Sequence, residues 1–315
     1  MKSVTLIFPG QGSQYVGMGS KIAHLDEAKA IFESADKSLG FNLTKLCNEG
    51  PEEKLKLTEF TQPSIVTHSI ALFEVLKKIL KEKNIKIERV LGHSVGEFSA
   101  LVAAQALKFD DAVKAVNLRG RYMQEAVAPG DGKMYAILRV PGNIVSKACE
   151  EVSDDKEKVM CANFNDPTQV VISGHSKAAD KAVQWLKDNY EGKQMAKELP
   201  VSAPFHSSLM KPAEIKLSEF LSNIQIEANK IPYIANIDAQ EHVISGSEIK
   251  DKLLSQVCGS VLWSQSMSTL PDNTVCIEVG PGKVLTGLNK RINKTFKTYT
   301  LDSEASFEGL EEFLA

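Results

Sequence analysis

The chain is 315 residues long, 43% hydrophobic and 24% charged, close to the averages of folded globular proteins, which excludes disordered and fibrous architectures. Its length allows one large domain or two unequal ones, each able to bury a core. Lys plus Arg number 37 against 40 Asp plus Glu, a net charge of −3, so composition makes no case for a nucleic-acid or membrane-surface protein.

From the N-terminus, SVTLIFP (3–9) reads as a buried strand that breaks at Pro9-Gly10 into a glycine-rich turn. The apolar run is too short for a secretory signal, and no stretch approaches the ~20 apolar residues of a membrane span. The five cysteines, Cys47, Cys149, Cys161, Cys258 and Cys276, are scattered and contain no CxxC pair. Disulfide and zinc frameworks are therefore poorly supported, and a complete, cytoplasmic protein without metal is expected. Thr61-Gln62-Pro63 is expected to open a helix, with Pro63 near its first position. A cationic stretch, Lys77 to Lys86, follows as a solvated helix end. IERVLGHS (87–94) then reads as a strand into a tight turn, and 95–107 as a helix. Strand–helix alternation of this kind implies a parallel sheet covered on both faces.

Gly92-His93-Ser94-Val95-Gly96 is a G-x-S-x-G sequence between that strand and helix. A serine at a sharp strand-to-helix turn needs strained backbone and small neighbours, and is held out over the sheet edge at a helix N-terminus. An ordinary glycine-flanked turn is the alternative. The context favours a nucleophile elbow.

In the helix pattern of 110–127, Arg119 shares a face with Ala112, Ala115, Val116, Tyr122, Met123 and Ala126, whereas Arg121 lies on the polar face. An inward guanidinium is costly unless paired. It serves either an internal salt bridge or an external carboxylate.

Between about 131 and 202 the pattern changes. Strands at 132–140, 158–164, 169–174 and 193–201, with helices at 142–152 and 176–190, give the β-α-β-β-α-β order of a ferredoxin-like unit. Strand signals resume at 231–236 and 274–282. The expected organisation is a large α/β domain over 1–130 and 203–315, with a small inserted domain over 131–202.

Four separated motifs carry a family resemblance: Phe8-Pro9-Gly10-Gln11-Gly12-Ser13-Gln14; Gly92-His93-Ser94-Val95-Gly96-Glu97; Asn163-Phe164-Asn165 before Gln169-Val170-Val171-Ile172-Ser173-Gly174; and Glu278-Val279-Gly280-Pro281-Gly282-Lys283. Together they resemble the malonyl-CoA:acyl carrier protein transacylases of type II fatty acid synthesis, from residue 4 to about 292. Val95 and Phe98 stand where many relatives have Leu and Tyr. The resemblance implies an α/β-hydrolase-like domain with a parallel sheet and a ferredoxin-like insertion. It also implies transfer of malonyl from coenzyme A to the phosphopantetheine thiol of acyl carrier protein, with no cofactor.

The residues alone leave the base open among six histidines, although His206 sits on a Pro-containing loop suited to the task. His68 and His93 read as structural. The resemblance selects His206, oriented by the main-chain carbonyl of Gln256, as a Ser-His dyad with Ser94. It makes Arg119 the malonyl carboxylate receptor and the amides of Val95 and Gln11 the oxyanion donors. Gly280-Pro281-Gly282 reads as a connection without chemistry.

The resemblance further implies that Phe205 and Val95 favour malonyl over methylmalonyl, and that an acidic carrier protein docks on a local basic patch. Lys290 and Arg291, with Lys294 and Lys297, are one candidate patch and Lys77 to Lys86 the other. A serine hydrolase on the same dyad, transfer of a different acyl group, and a non-catalytic docking module are the rival functions. The Arg119 charge speaks against the hydrolase, and the coexistence of Ser94, His206 and Arg119 against the docking module.

Overall fold

A computed structural model describes residues 3–201 and 203–314. Ser202, at the expected domain boundary, lies outside the described residues, as do Met1, Lys2 and Ala315. The first third comprises β1 (Ser3–Phe8), α1 (Asp26–Leu39), α2 (Leu43–Glu49), α3 (Glu52–Leu55), α4 (Thr58–Glu82), β2 (Lys86–Gly92), α5 (Gly96–Ala103) and α6 (Phe109–Glu125). Next come β3 (Gly132–Leu138), α7 (Gly142–Val152), β4 (Val159–Asp166), β5 (Gln169–His175), α8 (Ser176–Asn189) and β6 (Met195–Glu198). The remainder holds α9 (Lys211–Leu221), β7 (Tyr233–Ile234), β8 (Glu241–His242), α10 (Gly246–Cys258), α11 (Trp263–Ser268), β9 (Val275–Val279), α12 (Val284–Ile292), β10 (Lys297–Leu301) and α13 (Ala305–Leu314).

The large sheet has the order β10-β9-β1-β2-β7-β8. Its first five strands run parallel, and β8 pairs antiparallel with β7. Side chains alternate across a strand, and both faces here are apolar. Leu6, Phe8, Val90, Tyr233 and Ile277 join the core beneath α4, α5 and α6. Ile7, Leu91, Ile234 and Cys276 pack on the other face with Trp263, Met267, Leu285 and Leu288. That two-sided burial is why Leu6, Ile7 and Phe8 follow one another in β1 without a polar break.

The second sheet, β4-β5-β3-β6, is antiparallel and drawn wholly from 132–198. This strand order is the ferredoxin-like one. One face packs Ile137, Val170 and Ile172 against Val145, Ala148, Ala178, Ala182 and Leu186 of α7 and α8. The other turns Met134, Ala136 and Val171 toward the large unit. The two units are stitched along β4: Phe164 N–H donates to Val261 O (2.9 Å), and Val261 N–H to Ala162 O (2.8 Å).

Two expected element boundaries are corrected. The fourth helix starts at Thr58, so Pro63 lies inside it rather than at its opening. Proline has no N–H to give the Glu59 carbonyl one turn back, and Asn117 Nδ2 of α6 donates to that oxygen instead, at 2.7 Å. The helix expected over 95–107 stops at Ala103. Gln105 takes φ 60°, and the freed carbonyls of Ala104 and Ala106 accept from Lys230 and Glu227 N–H, each at 2.8 Å.

Candidate active site

Ser94 follows the carboxyl end of β2, in the middle of the large sheet, with φ 50°. A Cβ on Gly96 would sit 2.2 Å from the Phe8 carbonyl oxygen, so only glycine lets α5 begin this close to β1. Asn236, just after β7, clamps the turn: its Oδ1 accepts from Ser94 N–H (2.7 Å) and its Nδ2 donates to Gly92 O (2.6 Å). Val95 has helical backbone at the N-cap of α5, so its amide is among those a helix start leaves without an intrahelical partner.

Ser94 Oγ and His206 Nε2 are 2.7 Å apart. His206 Nδ1 lies 2.8 Å from the Gln256 carbonyl oxygen and 3.2 Å from that of Gly259. Carbonyls only accept, so this network assigns the proton to Nδ1 and leaves the Nε2 lone pair facing the serine hydroxyl. Burial, and after it the positive charge of Arg119, holds the imidazole down to about 3. It is therefore neutral, and able to accept a proton, throughout the physiological range. His93 also lines the cleft but is engaged elsewhere, its ring tilted against Trp263 and its Nε2 2.8 Å from Asn165 Oδ1. His68 is bonded to the Asp302 carbonyl at 3.0 Å, and His24, His175 and His242 have partners of their own outside the cleft.

Arg119 is 1% exposed, while Arg121 is exposed, as the helical periodicity requires. A Cβ on Gly120 would lie 2.5 Å from the Thr58 carbonyl oxygen, so α6 crosses α4 at backbone contact. That crossing brings Arg119 Nη1 to Gln62 Oε1 (2.8 Å), while Nη2 donates to Gln256 Oε1 (3.0 Å) and Ser94 Oγ (3.3 Å). Among the described residues its hydrogen-bond partners are two neutral amides and a hydroxyl. No internal salt bridge to Arg119 is formed among the described residues. Burial pulls the guanidinium down to about 10, which leaves it charged at neutral pH.

Ser94, His206, Arg119, Gln11, Gln62 and Phe205 line a cleft of about 260 Å³ between the two sheets, with Met134, Val171 and Gln169 from the small sheet and Leu285 and Leu288 from α12 on its walls. The Gln11 side chain is exposed at its rim. The Val95 side chain is buried in the core, so Val95 meets the site through its backbone. Lys290 is exposed on the last turn of α12. Arg291 is not free: its Nε donates to Asp166 Oδ2 (2.6 Å) and its Nη2 to Gln169 Oε1 (3.3 Å).

Sequence reasoning missed Gln62, Glu97 and Asn236 as members of the site. Glu97 carried a signal, since a carboxylate in the first turn of a small-residue helix behind the elbow has no route to solvent. It is 1% exposed. Glu278, 0% exposed, also lay unread in its motif. Its carboxylate accepts the N–H groups of Leu285 (2.9 Å) and Thr286 (2.7 Å), fixing the start of α12.

A serine activated by a neutral histidine, beside a buried cation and a helix N-terminus, can take an acyl group from an activated donor and favour an anionic one. The chain matches the acyl transferase domain family over residues 5–301. It is 41% identical over 311 residues to the malonyl CoA-acyl carrier protein transacylase of Bacillus subtilis, covering 98% of this chain and 96% of that one. It superposes with TM-score 0.92 on the corresponding enzyme of Coxiella burnetii, at 35% identity over 99% of this chain and 98% of that one. A type II polyketide acyl carrier protein bound to its malonyl-transacylase contains a further neighbour, TM-score 0.90 at 35% identity over 99% of each chain. No helix among the described residues is long and apolar enough to cross a membrane. The chain belongs to the malonyl CoA-acyl carrier protein transacylase family of acyltransferases.

Proposed function

We propose that this enzyme moves malonyl from malonyl-CoA to the phosphopantetheine thiol of acyl carrier protein in fatty acid synthesis, through a malonyl-Ser94 ester, in the cytoplasm. The observation that carries the reading is Arg119, a buried guanidinium hydrogen-bonded by neutral groups 3.3 Å from the Ser94 hydroxyl. A malonyl carboxylate would complete its charge and aim the thioester carbonyl at Oγ.

His206 Nε2 takes the Ser94 proton as Oγ attacks the thioester carbon. Charge on the carbonyl oxygen is held by the N–H groups of Val95 and Gln11. The tetrahedral adduct collapses, the carbon–sulfur bond breaks, and the imidazolium returns its proton to the departing coenzyme A sulfur. In the second half the carrier thiol gives its proton to His206 and attacks the ester. Ser94 recovers the proton as the leaving group. The Gln256 carbonyl holds the imidazole in the required tautomer throughout. Coenzyme A enters as the thioester donor and leaves as the free thiol.

Phe205, 8% exposed and on the cleft wall, is the residue we assign to exclusion of an α-methyl branch, a discrimination of ~1–3 kcal/mol. Lys290 is the docking candidate for an acidic carrier. Incubation of wild type and Ser94→Ala with labelled malonyl-CoA tests the core reading: label must reside on Ser94 and vanish in the variant. Rapid loss of that label to water without a thiol would favour a hydrolase instead.

A further inference from the structure

We infer that Glu97 is a positioning residue that keeps Arg119 charged without a protein carboxylate bonded to it, ready for an anionic acyl group, by holding the Gln256 amide with its oxygen toward the guanidinium. The inference rests on the assignment of Arg119 as carboxylate receptor and adds the means by which that receptor stays charged with only neutral groups bonded to it.

Glu97 lies in the first turn of α5, three residues after the nucleophile. Its Oε2 accepts from Gln256 Nε2 at 2.6 Å and from Asn236 N–H at 3.2 Å. Ionised, Glu97 only accepts, and Arg119 only donates, so both turn the Gln256 NH2 toward Glu97 and its oxygen toward Arg119 Nη2, 3.0 Å away. The same NH2 reaches the Ser94 carbonyl at 3.1 Å. Turned over, the amide would aim N–H groups at a cation and leave Glu97 facing an oxygen.

The charge matters as much as the geometry. A buried cation with no opposite charge nearby is strongly disfavoured, yet a carboxylate in direct contact would occupy the donors that substrate needs. Glu97 stands one amide away, close enough to stabilise the guanidinium and too far to block it. Burial pushes its carboxyl up to about 7, and the Gln256 hydrogen bond is the largest influence favouring the charged form.

The test compares single-turnover acylation of Ser94 from malonyl-CoA and from acetyl-CoA, a donor without the carboxylate. Wild type, E97Q, R119A and the double variant are measured. E97Q keeps the shape, removes the charge and lets the Gln256 amide turn over. The malonyl-to-acetyl ratio should fall at least about tenfold in E97Q, with no further fall when E97Q is added to R119A. Equal losses for both donors, or the same fall of the ratio in the R119A background as in wild type, would overturn the role of Glu97. An unchanged ratio in R119A would instead overturn the receptor assignment. If E97Q melts well below wild type, Gln256→Met carries the test, since it removes the amide link and should lower the ratio similarly. An unchanged ratio in that variant also refutes the inference.

Discussion

Ser94 and His206 both occupy left-handed backbone, with φ 50° and 55°, and their side chains meet at 2.7 Å. Neither residue type favours that region, so the fold stores strain at both partners of the pair. At Ser94 the strain is of order 1–3 kcal/mol, against about 0.4–1 kcal/mol lost when glycine adds freedom to the unfolded chain. Ser94→Gly should therefore be about 1 kcal/mol more stable than Ser94→Ala in urea unfolding, both being inactive. A less stable glycine variant would mean the elbow is not strained.

The depressed basicity of His206 sets the pH behaviour. Its folded value lies near 3, pushed there by burial and then by Arg119, so protonation should not limit Ser94 reactivity around the ordinary histidine value of ~6.5. Inactivation by a sulfonyl fluoride, which needs no malonyl carboxylate, should show no inflection there. Arg119→Ala removes a repelling positive charge, favours the imidazolium, and should move the acid limb upward toward neutrality. A limb that stays still, or moves to lower pH, contradicts this electrostatic account. The same shift has a stability consequence. Between pH ~6.5 and 3 the unfolded chain binds the His206 proton and the folded one does not, so this contribution to stability is lost as pH falls through that window.

The fourth helix carries Gln62, and hence one support of Arg119, past an internal proline. Its integrity depends on Asn117 supplying the donor that Pro63 lacks. Asn117→Ala should cost about 1–3 kcal/mol in denaturant unfolding, the usual cost of a polar group left unsatisfied. In a Pro63→Ala background, where the helix makes its own bond, the loss should shrink markedly. An equal loss in both backgrounds would show that Asn117 acts elsewhere.

What was legible in the sequence follows from which signals are local. The elbow, the inward face of the helix bearing Arg119 and the small-sheet strands all announce themselves through period and turn residues. The long-range pairs do not. Pro63 reads locally as a helix start because its rescue by Asn117 comes from another helix. Glu97, Gln256 and Asn236 are distant in sequence and gain meaning only when the sheet brings α5, α10 and the segment after β7 together. Helix α1 went unread although its signals are local, with Asp26 and Glu27 in the first turn, Ala28, Phe32 and Ala35 on one buried face and Gly40 at its end; α2 and α3 are too short to show a period of their own.

The two basic patches proposed for carrier docking are separated by the fold. Lys86 opens β2 and Ser94 follows its end, so the Lys77–Lys86 stretch lies at the opposite sheet edge, roughly 20 Å away along the strand. Its Lys77 and Lys78 are moreover paired with Glu74 and Glu27. The α12 patch is at the right edge, because Arg291 reaches Gln169 on the cleft wall. Within it the two charges differ. Arg291 is held by Asp166, whose side chain is 2% exposed, and so pins one cleft wall to the other, whereas Lys290 faces solvent. Lys290→Glu should slow transfer to carrier protein about two- to fivefold at low ionic strength, less at high salt, through the association rate. Its loading from malonyl-CoA should stay in the wild-type range. Arg291→Glu sets a carboxylate against enclosed Asp166, and should depress both half-reactions and lower the melting temperature. Measuring the half-reactions separately at two salt concentrations decides the matter. A Lys290→Glu variant that loses loading and transfer equally would end the docking assignment, and an Arg291→Glu variant with intact loading would show that the pin does not shape the cleft.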